Sequence, residues 1–346
     1  MANAPTVERQ RRAYVPNDDW LAKRPKEPIL EPDLPIVDPH HHLWDHGNQR
    51  YLLDELLADT GSGHKIAATV YIDCRSMYRA DGPKEMRPVG ETEFVNGVAA
   101  MSASGRYGPT RVAAGIVGFA DLALGERVGE TLDAHLAASS RFRGIRHAAG
   151  WDASDDVRNS HTKPPRGLFL EPSFRRGFAE LGRRGFSFEA WLYHPQLADL
   201  VDLAKAFPET TIVLDHFGGP LGIGPYAGKR AEIFQDWKRA IRSVADCPNV
   251  VAKLGGLVMP LNGFGLHKRA EPVTSIELSD LTREWYLHAI DAFGPARCMF
   301  ESNFPVDRVS CSYRVLWNSF KRIAATFSAA EKAAMFHGTA TRVYRL

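Results

Sequence analysis

Three consecutive histidines, His40, His41 and His42, end a short apolar run that begins at Ile36. In an extended strand alternate side chains lie on the same face, so His40 and His42 are expected to point the same way. Two imidazoles that converge from the end of one strand can bind a metal ion or stabilise an oxyanion. A single histidine is more simply a packing or surface residue, whereas this cluster indicates a functional site.

A strand followed by a helix recurs along the chain, and this repeat must position the histidines. Apolar, β-branched runs precede polar turns and stretches with helical periodicity. Most of the runs are continuously apolar, as expected for strands of a parallel sheet that is buried on both faces. The predicted strands span residues 35–39, 65–73, 111–119, 142–147, 186–193, 211–215, 250–254 and 297–301.

Eight such units in one chain of 346 residues predict an α/β fold, a (β/α)8 TIM barrel over residues 35–346 with an N-terminal extension over residues 1–34. The alternative is a doubly wound open sheet, because residues 222–227 offer a superficial match to a dinucleotide-binding loop. We reject this alternative because the glycines lie well past the strand end and Pro225 interrupts the turn.

Composition limits the partners that the protein is expected to have. With 43 basic and 41 acidic residues the net charge is +2, which gives no basis for binding nucleic acid or a membrane surface. The four cysteines are scattered and no long apolar run is present, so a cytoplasmic protein with a small-molecule substrate is expected. Trp20 is expected to anchor the extension on the body or on a neighbouring subunit, which leaves a homodimer or larger homo-oligomer open.

The active site of a TIM barrel lies at the C-terminal ends of its strands. In this chain those ends are rich in ionisable groups. Such a set has little use in a purely structural barrel, so its joint occurrence indicates a catalytic or binding site. The residues concerned are His40 and His42, Arg143, Arg146 and His147, Trp191, Tyr193 and His194, Asp215 and His216, Lys253, and Glu301, Ser302 and Asn303.

The same strand ends carry an ordered series of motifs. Residues 38–42 read D-P-H-H-H, residues 142–146 F-R-G-I-R, residues 214–218 L-D-H-F-G, residues 253–255 K-L-G and residues 299–305 M-F-E-S-N-F-P. The series resembles the amidohydrolase superfamily, specifically the amidohydrolase-2 branch of pyrone-dicarboxylate and sugar-lactone hydrolases. The resemblance covers nearly the whole chain after residue 30. It implies a hydrolase that opens a lactone or similar cyclic ester of a small, carboxylated metabolite, with a divalent metal or in a metal-free pocket.

The strand 8 motif departs from the family, because Asn303 replaces an aspartate that usually acts as general base. An amide takes no proton near neutral pH and supplies no negative charge to a metal. Glu301, one layer deeper on the same face, could act instead, although a structural ion pair is an equal alternative. His40, His42 and His216 could form a neutral zinc site that brings bound water to a pKa of ~7. In a metal-free site, a histidine would be the base.

Our leading hypothesis combines the first two of these alternatives. Activated water attacks the lactone carbonyl, and a divalent metal, zinc, is bound by His40, His42 and His216. The predicted catalytic residues are therefore His40, His42, His216, Glu301 and Asn303.

The predicted substrate-binding residues are Arg146, Lys253, His194, Tyr193 and Trp191. Arg146 is favoured over Arg143 for a substrate carboxylate, because residues three apart in a strand face opposite sides. His194 is equally well explained as the first residue of a helix. The loop of residues 148–171, which contains His161, is expected to form a lid, a substrate wall or a subunit contact.

Two other functions stay open at this point. One is a metal-dependent decarboxylase or hydratase that acts on an aromatic or unsaturated acid. The other is a barrel that has lost its base and only binds a ligand.

Overall fold

The computed structural model describes residues 15–47 and 49–346. Its main sheet has eight parallel strands that neighbour one another in sequence order and curl into a nearly closed TIM barrel. This confirms the predicted fold, and each predicted strand overlaps an observed one. The strands are β1 Pro35–His41, β2 Lys65–Ile72, β3 Arg111–Gly118, β4 Phe142–Arg146, β5 Ser187–Ala190, β6 Ile212–Leu214, β7 Val250–Leu254 and β8 Cys298–Phe300. A short antiparallel pair, Trp44–Asp45 and Arg50–Tyr51, follows β1.

Helices cover the outside of the barrel, and the main apolar core lies between them and the sheet. Side-chain caps define where several helices begin; Thr274, for example, accepts from the backbone of Glu277, whose carboxylate bonds back to Thr274. In the described part of the chain no helix is long and apolar enough to span a membrane. The helices are α1 Asp18–Leu21, α2 Leu53–Thr60, α3 Val89–Ala103, α4 Val128–Ala138, α5 Pro172–Arg183, α6 Leu197–Ala206, α7 Arg230–Ala245, α8 Ser275–Phe293, α9 Tyr313–Ile323, α10 Ala329–Ala333 and α11 Thr339–Tyr344.

The barrel closes between β1 and the chain that follows β8. The backbone N–H of Asn303 donates to the carbonyl of His40 at 3.0 Å. Asp38 accepts from the backbone N–H of Ser302 and from the hydroxyl of Tyr313, each at 2.9 Å. These bonds hold the histidine run against the end of β8, so Asp38 has a structural part in the motif.

Side chains that point into the barrel form two layers. The lower layer is apolar and includes Val37, Val70, Val213, Val251, Met299 and, from α11, Tyr344. Asp215, Lys253 and Glu301 each stand two residues beyond a member of this layer and are fully buried. Strand alternation therefore places an ionisable upper layer directly above the apolar lower layer.

Part of the predicted N-terminal extension lies against the barrel. The indole N–H of Trp20 donates to the carbonyl of Arg269 at 2.9 Å, and Glu27 accepts from the backbone N–H of Ser275 at 2.7 Å. Trp20 thus contacts the body, which is one of the two placements expected from the sequence. Residues 1–14 of the predicted extension lie outside the described residues.

Candidate active site

A cavity of about 870 Å³ opens at the C-terminal ends of the barrel strands. This is the position in which TIM barrels carry their active sites. The loops that follow the strands add Trp44, His161 and Lys268 to its walls. The predicted site residues that line it are His42, Arg146, Trp191, Tyr193, His216 and Asn303.

Hydrogen bonds fix which nitrogen of His42 and His40 carries the proton. His42 Nδ1 lies 2.9 Å from the carbonyl oxygen of Ile72, which can only accept, so Nδ1 is the protonated nitrogen. His40 Nε2 lies 3.4 Å from Arg146 Nη1, which can only donate, so this nitrogen is the acceptor, while His40 Nδ1 faces both Glu301 Oε2 at 2.8 Å and Lys253 Nζ at 3.1 Å. The two Nε2 atoms therefore carry lone pairs, and they lie 3.3 Å apart.

Glu301 contacts two imidazoles at once from beneath. Its Oε1 lies 2.6 Å from His216 Nδ1, and its Oε2 lies 2.8 Å from His40 Nδ1. These are hydrogen-bond lengths, whereas two ligands of one tetrahedral zinc ion lie about 3.3 Å apart. Glu301 is fully buried, so it orients His40 and His216 in the manner of a carboxylate behind metal-binding histidines and does not reach a substrate.

The lone pairs on Nε2 of His40 and His42 face each other and repel unless a positive charge lies near them. Near neutral pH a proton on either ring does not supply that charge. Burial and then the charge of Lys253 hold the pKa of His40 well below its ordinary value, and burial and Arg146 do the same to the pKa of His42. The two Nε2 atoms lie 3.3 Å apart. Two nitrogen ligands of one tetrahedral zinc ion, each at 2.0–2.1 Å from the metal, are separated by about the same distance. The donor set thus fits a divalent cation.

The structure places Glu301 beside the predicted metal set of His40, His42 and His216. Within the described residues, possible ligand atoms of His40, His216 and Glu301 lie within 4.8 Å of one another. Glu301 therefore belongs to the centre, where its contact distances assign it to orienting the histidines. The sequence placed Glu301 on the correct face, one layer below Asn303.

Lys253 lies beneath the histidines and not on the cavity wall. It is fully buried, and its Nζ lies 2.7 Å from Glu189 Oε2 and 3.4 Å from Asp215 Oδ1. Burial would lower the pKa of Lys253, but the charges of Glu189, Asp215 and Glu301 outweigh it and raise the pKa. Lys253 is therefore protonated and lies below His40. At this depth it does not contact a substrate carboxylate in the cavity.

Arg146 is the cation that stands at the cavity wall. Its Nη1 lies 3.4 Å from His40 Nε2, and its Nη2 lies 3.8 Å from Asp73 Oδ2. Arg143 points away from the cavity and donates to the carbonyl of Ser140 at 2.8 Å. The two arginines therefore face opposite sides of β4, as their spacing predicts.

The structure separates His194 from the other predicted substrate-binding residues of its segment. Trp191 and Tyr193 both line the cavity, and the ring of Trp191 meets that of His216 edge-on at 4.9 Å. His194 starts the 3₁₀ turn His194–Gln196, and its Nδ1 accepts from the backbone N–H of Leu221 at 3.2 Å. Its geometry therefore matches the alternative in which it begins a helical turn.

Asn303 occupies the cavity wall with a buried carboxyl group behind it. Its Nδ2 donates to Asp307 Oδ1 at 3.2 Å, and Asp307 is fully buried at the turn Asp307–Val309. Burial raises the pKa of Asp307 well above its ordinary value. An aspartate at position 303 would set two carboxyl groups against each other, whereas the amide donates a hydrogen bond. This contact is a physical reason for the departure from the family motif.

Sequence reasoning did not single out Asp73, which immediately follows β2. Asp73 is fully buried, and Oδ2 lies 3.6 Å from Nε2 of His161, a cavity residue of the loop after β4. Asp73 ends a predicted strand, so the strand-end position itself was an available signal. His161 reaches this position through a long loop, and the sequence contains no periodic pattern that predicts the path of that loop.

Comparison with known proteins identifies the family of this chain. A sequence model of the amidohydrolase family matches residues 37–346. The chain belongs to the amidohydrolase family. This confirms the resemblance predicted from the strand-end motifs, and the amidohydrolase is accordingly an enzyme of the hydrolase type.

Two curated relatives cover nearly the whole amidohydrolase. An uncharacterized protein, y4mH, of Sinorhizobium fredii is 33% identical over 336 residues, which cover 91% of this chain and 99% of the relative. An L-fucono-1,5-lactonase of Burkholderia multivorans is 29% identical over 332 residues, which cover 90% of this chain and 96% of the relative. Among solved structures, an amidohydrolase from Burkholderia multivorans with bound zinc is 26% identical, with a TM-score of 0.68 and coverage of 90% and 99%.

Proposed function

We propose that this amidohydrolase opens the ring of a lactone, or of a similar cyclic ester, of a small carboxylated metabolite. The observation that carries the proposal is the pair of Nε2 lone pairs on His40 and His42, 3.3 Å apart and beside the guanidinium of Arg146. Groups of this kind activate water and stabilise negative charge on a carbonyl oxygen. The L-fucono-1,5-lactonase relative supports a lactone as the substrate class.

The proposal includes a divalent cation, zinc, held by His40, His42 and His216. The donor set supports it, and so does the zinc in the related Burkholderia multivorans structure. When bound, such a cation lowers the pKa of water and polarises a carbonyl group. Glu301 contacts the Nδ1 atoms of His40 and His216, so the Nε2 atoms of both rings are left available.

The residues of the chain bind the substrate and stabilise the charge that develops on it. Arg146 lies deep in the cavity and can donate to the carbonyl oxygen as it becomes negative, while Arg158 and Lys268 at the mouth can attract a carboxylate. Trp191 and Tyr193 provide flat apolar walls for a ring. Water adds to the carbonyl carbon, the ring C–O bond breaks and the ring oxygen gains a proton. The hydroxy acid that results ionises, so each turnover releases one proton at neutral pH.

Proton release gives a direct test. The purified protein is assayed with a pH indicator on neutral sugar lactones and on matched lactones that bear a carboxylate, with metal analysis of the same preparation. We expect acid release that favours the carboxylated lactones, bound zinc, and loss of activity with chelator that zinc restores. Failure to hydrolyse any lactone in the zinc-loaded form contradicts the proposal.

Two arginines of β4 provide a matched pair of variants for this assay. Arg146→Gln removes the cavity cation and is expected to lower kcat/KM by about 100-fold or more, the effect of losing one oxyanion donor. Arg143→Gln removes a cation that bonds to Ser140 on the other side of the strand and is expected to keep wild-type kinetics. Equal effects of the two changes would contradict the place given to Arg146.

The same substrate panel separates the alternative functions. Aromatic acids are included, and released carbon dioxide is measured beside released acid. Carbon dioxide without lactone hydrolysis would favour a decarboxylase. Saturable binding of a lactone without turnover would favour a barrel that only binds a ligand.

A further inference from the structure

We infer that His161 is the residue that transfers the proton during ring opening, with Asp73 as its positioning partner, in place of the aspartate that β8 lacks. The inference rests on the proposed function. His161 lines the cavity with a quarter of its side chain exposed, and its Nε2 lies 3.6 Å from Asp73 Oδ2. The pair is therefore open to a substrate on one side and anchored by a buried carboxylate on the other.

Backbone hydrogen bonds to Val117 and Arg146 hold Asp73 in place, but none of the hydrogen bonds in the part of the chain that the structure describes uses its carboxylate. The side chain is fully buried, yet within the described residues neither of its oxygens has a hydrogen-bond partner. A buried carboxylate without such partners is costly. Burial alone would raise the pKa of Asp73, but the charge of Arg146 and the contact with His161 outweigh it, and the pKa is lowered. Asp73 is thus an ionised group that faces a cavity histidine.

The surroundings of His161 fix its backbone and supply charges of both signs. Asp73 faces it from the end of β2, and Arg146 lies between Asp73 and His40. Arg75, in the loop after β2, donates from Nη1 to the carbonyl of His161 at 3.0 Å. His147, after β4, is the further titratable neighbour. The loop therefore presents His161 to the cavity in a defined position.

The geometry defines how the proton moves. Nε2 of His161 faces the Asp73 carboxylate at 3.6 Å, which favours the tautomer with the proton on Nε2 and the lone pair on Nδ1. As the water oxygen bonds to the lactone carbonyl carbon, one water proton passes to Nδ1. When the ring C–O bond breaks, that proton passes to the ring oxygen, which becomes the hydroxyl of the product. His161 ends the cycle neutral, and the new carboxylic acid loses its own proton to solvent.

Arg146 joins this pair to the histidine centre. Its Nη1 lies 3.4 Å from His40 Nε2 and its Nη2 lies 3.8 Å from Asp73 Oδ2, so one guanidinium separates the two groups. A carbonyl oxygen that accepts from Arg146 is thereby adjacent to both. Asn303 cannot take a proton, and Glu301 is buried behind His40, which leaves the proton transfer to another cavity residue.

The test uses the zinc-loaded enzyme and the lactone that the wild type hydrolyses fastest. His161→Gln is expected to lower kcat by ~10²–10⁴-fold, the usual contribution of a general acid or base, with KM changed by less than about 3-fold. Asp73→Asn is expected to lower kcat by a smaller factor. His337→Gln, which alters a histidine bonded to Thr341 on the outer helices, serves as the matched control with wild-type kinetics.

Chemical rescue distinguishes catalysis from a structural effect. Imidazole is expected to restore part of kcat to the folded His161→Gly variant and to have no effect on Asp73→Asn or on the wild type. Wild-type kcat in His161→Gln, or no gain with imidazole in a folded His161→Gly variant, would overturn the inference while the proposed function stands.

A spectroscopic measurement needs no substrate. In protein with ¹⁵N-labelled histidine, the His161 resonances should show Nε2 protonated and Nδ1 unprotonated in the wild type, and a tautomer mixture in Asp73→Asn. If the wild type hydrolyses no lactone, the proposed function fails, and the spectra still decide whether Asp73 holds His161. Identical His161 spectra in the two proteins would overturn the pairing.

Discussion

The lower and upper layers of the barrel interior are built on the same strands and differ completely in chemistry. Val213, Val251 and Met299 pack against one another in the lower layer. Two residues further along the same strands, the upper layer carries charged or ionisable groups that are equally buried. Side chains two residues apart on a strand point to the same face, so one such interval separates a packing position from an ionisable position.

The energetics of the two layers are opposed. Burial of apolar surface stabilises the fold by about 25 cal/mol per Å². Taking a charge out of water costs several kcal/mol for each ion, and close pairing offsets this only when the geometry is good. In the upper layer Lys253 pairs with Glu189 at 2.7 Å and Glu301 with His216 at 2.6 Å. Such clusters of buried ionisable groups are typical of functional sites, and the apolar lower layer contributes stability beneath this one.

The largest effect is expected from Lys253→Met, which makes one position of the upper layer resemble the lower one. Removing the cation leaves Glu189 and Asp215 buried beside each other without it. The free energy of unfolding should fall by about 3–5 kcal/mol, the typical result of breaking a buried ion pair. Urea denaturation of the variant and the wild type measures it.

A double variant checks the cause of that loss. In Lys253→Met with Glu189→Gln, both partners of the 2.7 Å contact are neutral. Part of the lost stability should return, because no unpaired charge remains from this pair. If the two changes add without recovery, the pair is not what ties the upper layer together.

The second effect concerns metal affinity. Glu301→Gln keeps the shape of the side chain but replaces one of the two carboxylate oxygens, each of which faces the Nδ1 atom of His40 or His216, by an amide nitrogen. The affinity for zinc should fall by about 10–100-fold, as is usual when a group behind metal-binding histidines is lost. Competition with a chromophoric chelator measures it. Glu189→Gln, in the same layer but bonded to Lys253 and Tyr344, should bind zinc like the wild type.

The sequence predicted the barrel well because a buried parallel strand has a strong local signature. The run at 250–254 coincides with β7, and His40 and His42 meet on one face because strand alternation is geometric. Depth along a strand was harder to predict. The sequence places Lys253 at the rim of the barrel. In the structure it lies one layer below the rim and is fully buried, because two more residues, Gly255 and Gly256, follow β7 before the chain turns.

Residues that depend on loops could not be predicted in the same way. His161 reaches Asp73 from 88 residues further along the chain, through a segment that no repeating pattern orients. Asp307 reaches Asn303 because a 3₁₀ turn follows the strand. His194 is adjacent in sequence to Tyr193, but the turn that begins there carries it away from the cavity. These contacts depend on tertiary structure and not on periodicity.

The third effect tests why β8 ends in an amide. Asn303→Asp places a second carboxyl group near Asp307, whose Oδ1 lies 3.2 Å from the present amide nitrogen. The change should destabilise the protein, and Asp307→Asn in the same chain should relieve the loss. The coupling free energy between the two positions is expected to be 0.5–3 kcal/mol, the range for residues in contact. Additive effects in the double-mutant cycle, measured by denaturation, would leave the substitution without this explanation.

The smallest effect is expected in the lower layer. Met299→Leu exchanges side chains of similar volume in an apolar environment two residues before Glu301. Stability should change by less than about 1.5 kcal/mol, and zinc affinity and kcat should stay at the wild-type values, because packing alone acts at this position. Denaturation, chelator competition and the lactone assay are applied to this variant and to Glu301→Gln together. A loss of zinc affinity in Met299→Leu comparable with that in Glu301→Gln would mean that the histidines depend on the packing below them as much as on the carboxylate, and that the two layers act as one unit.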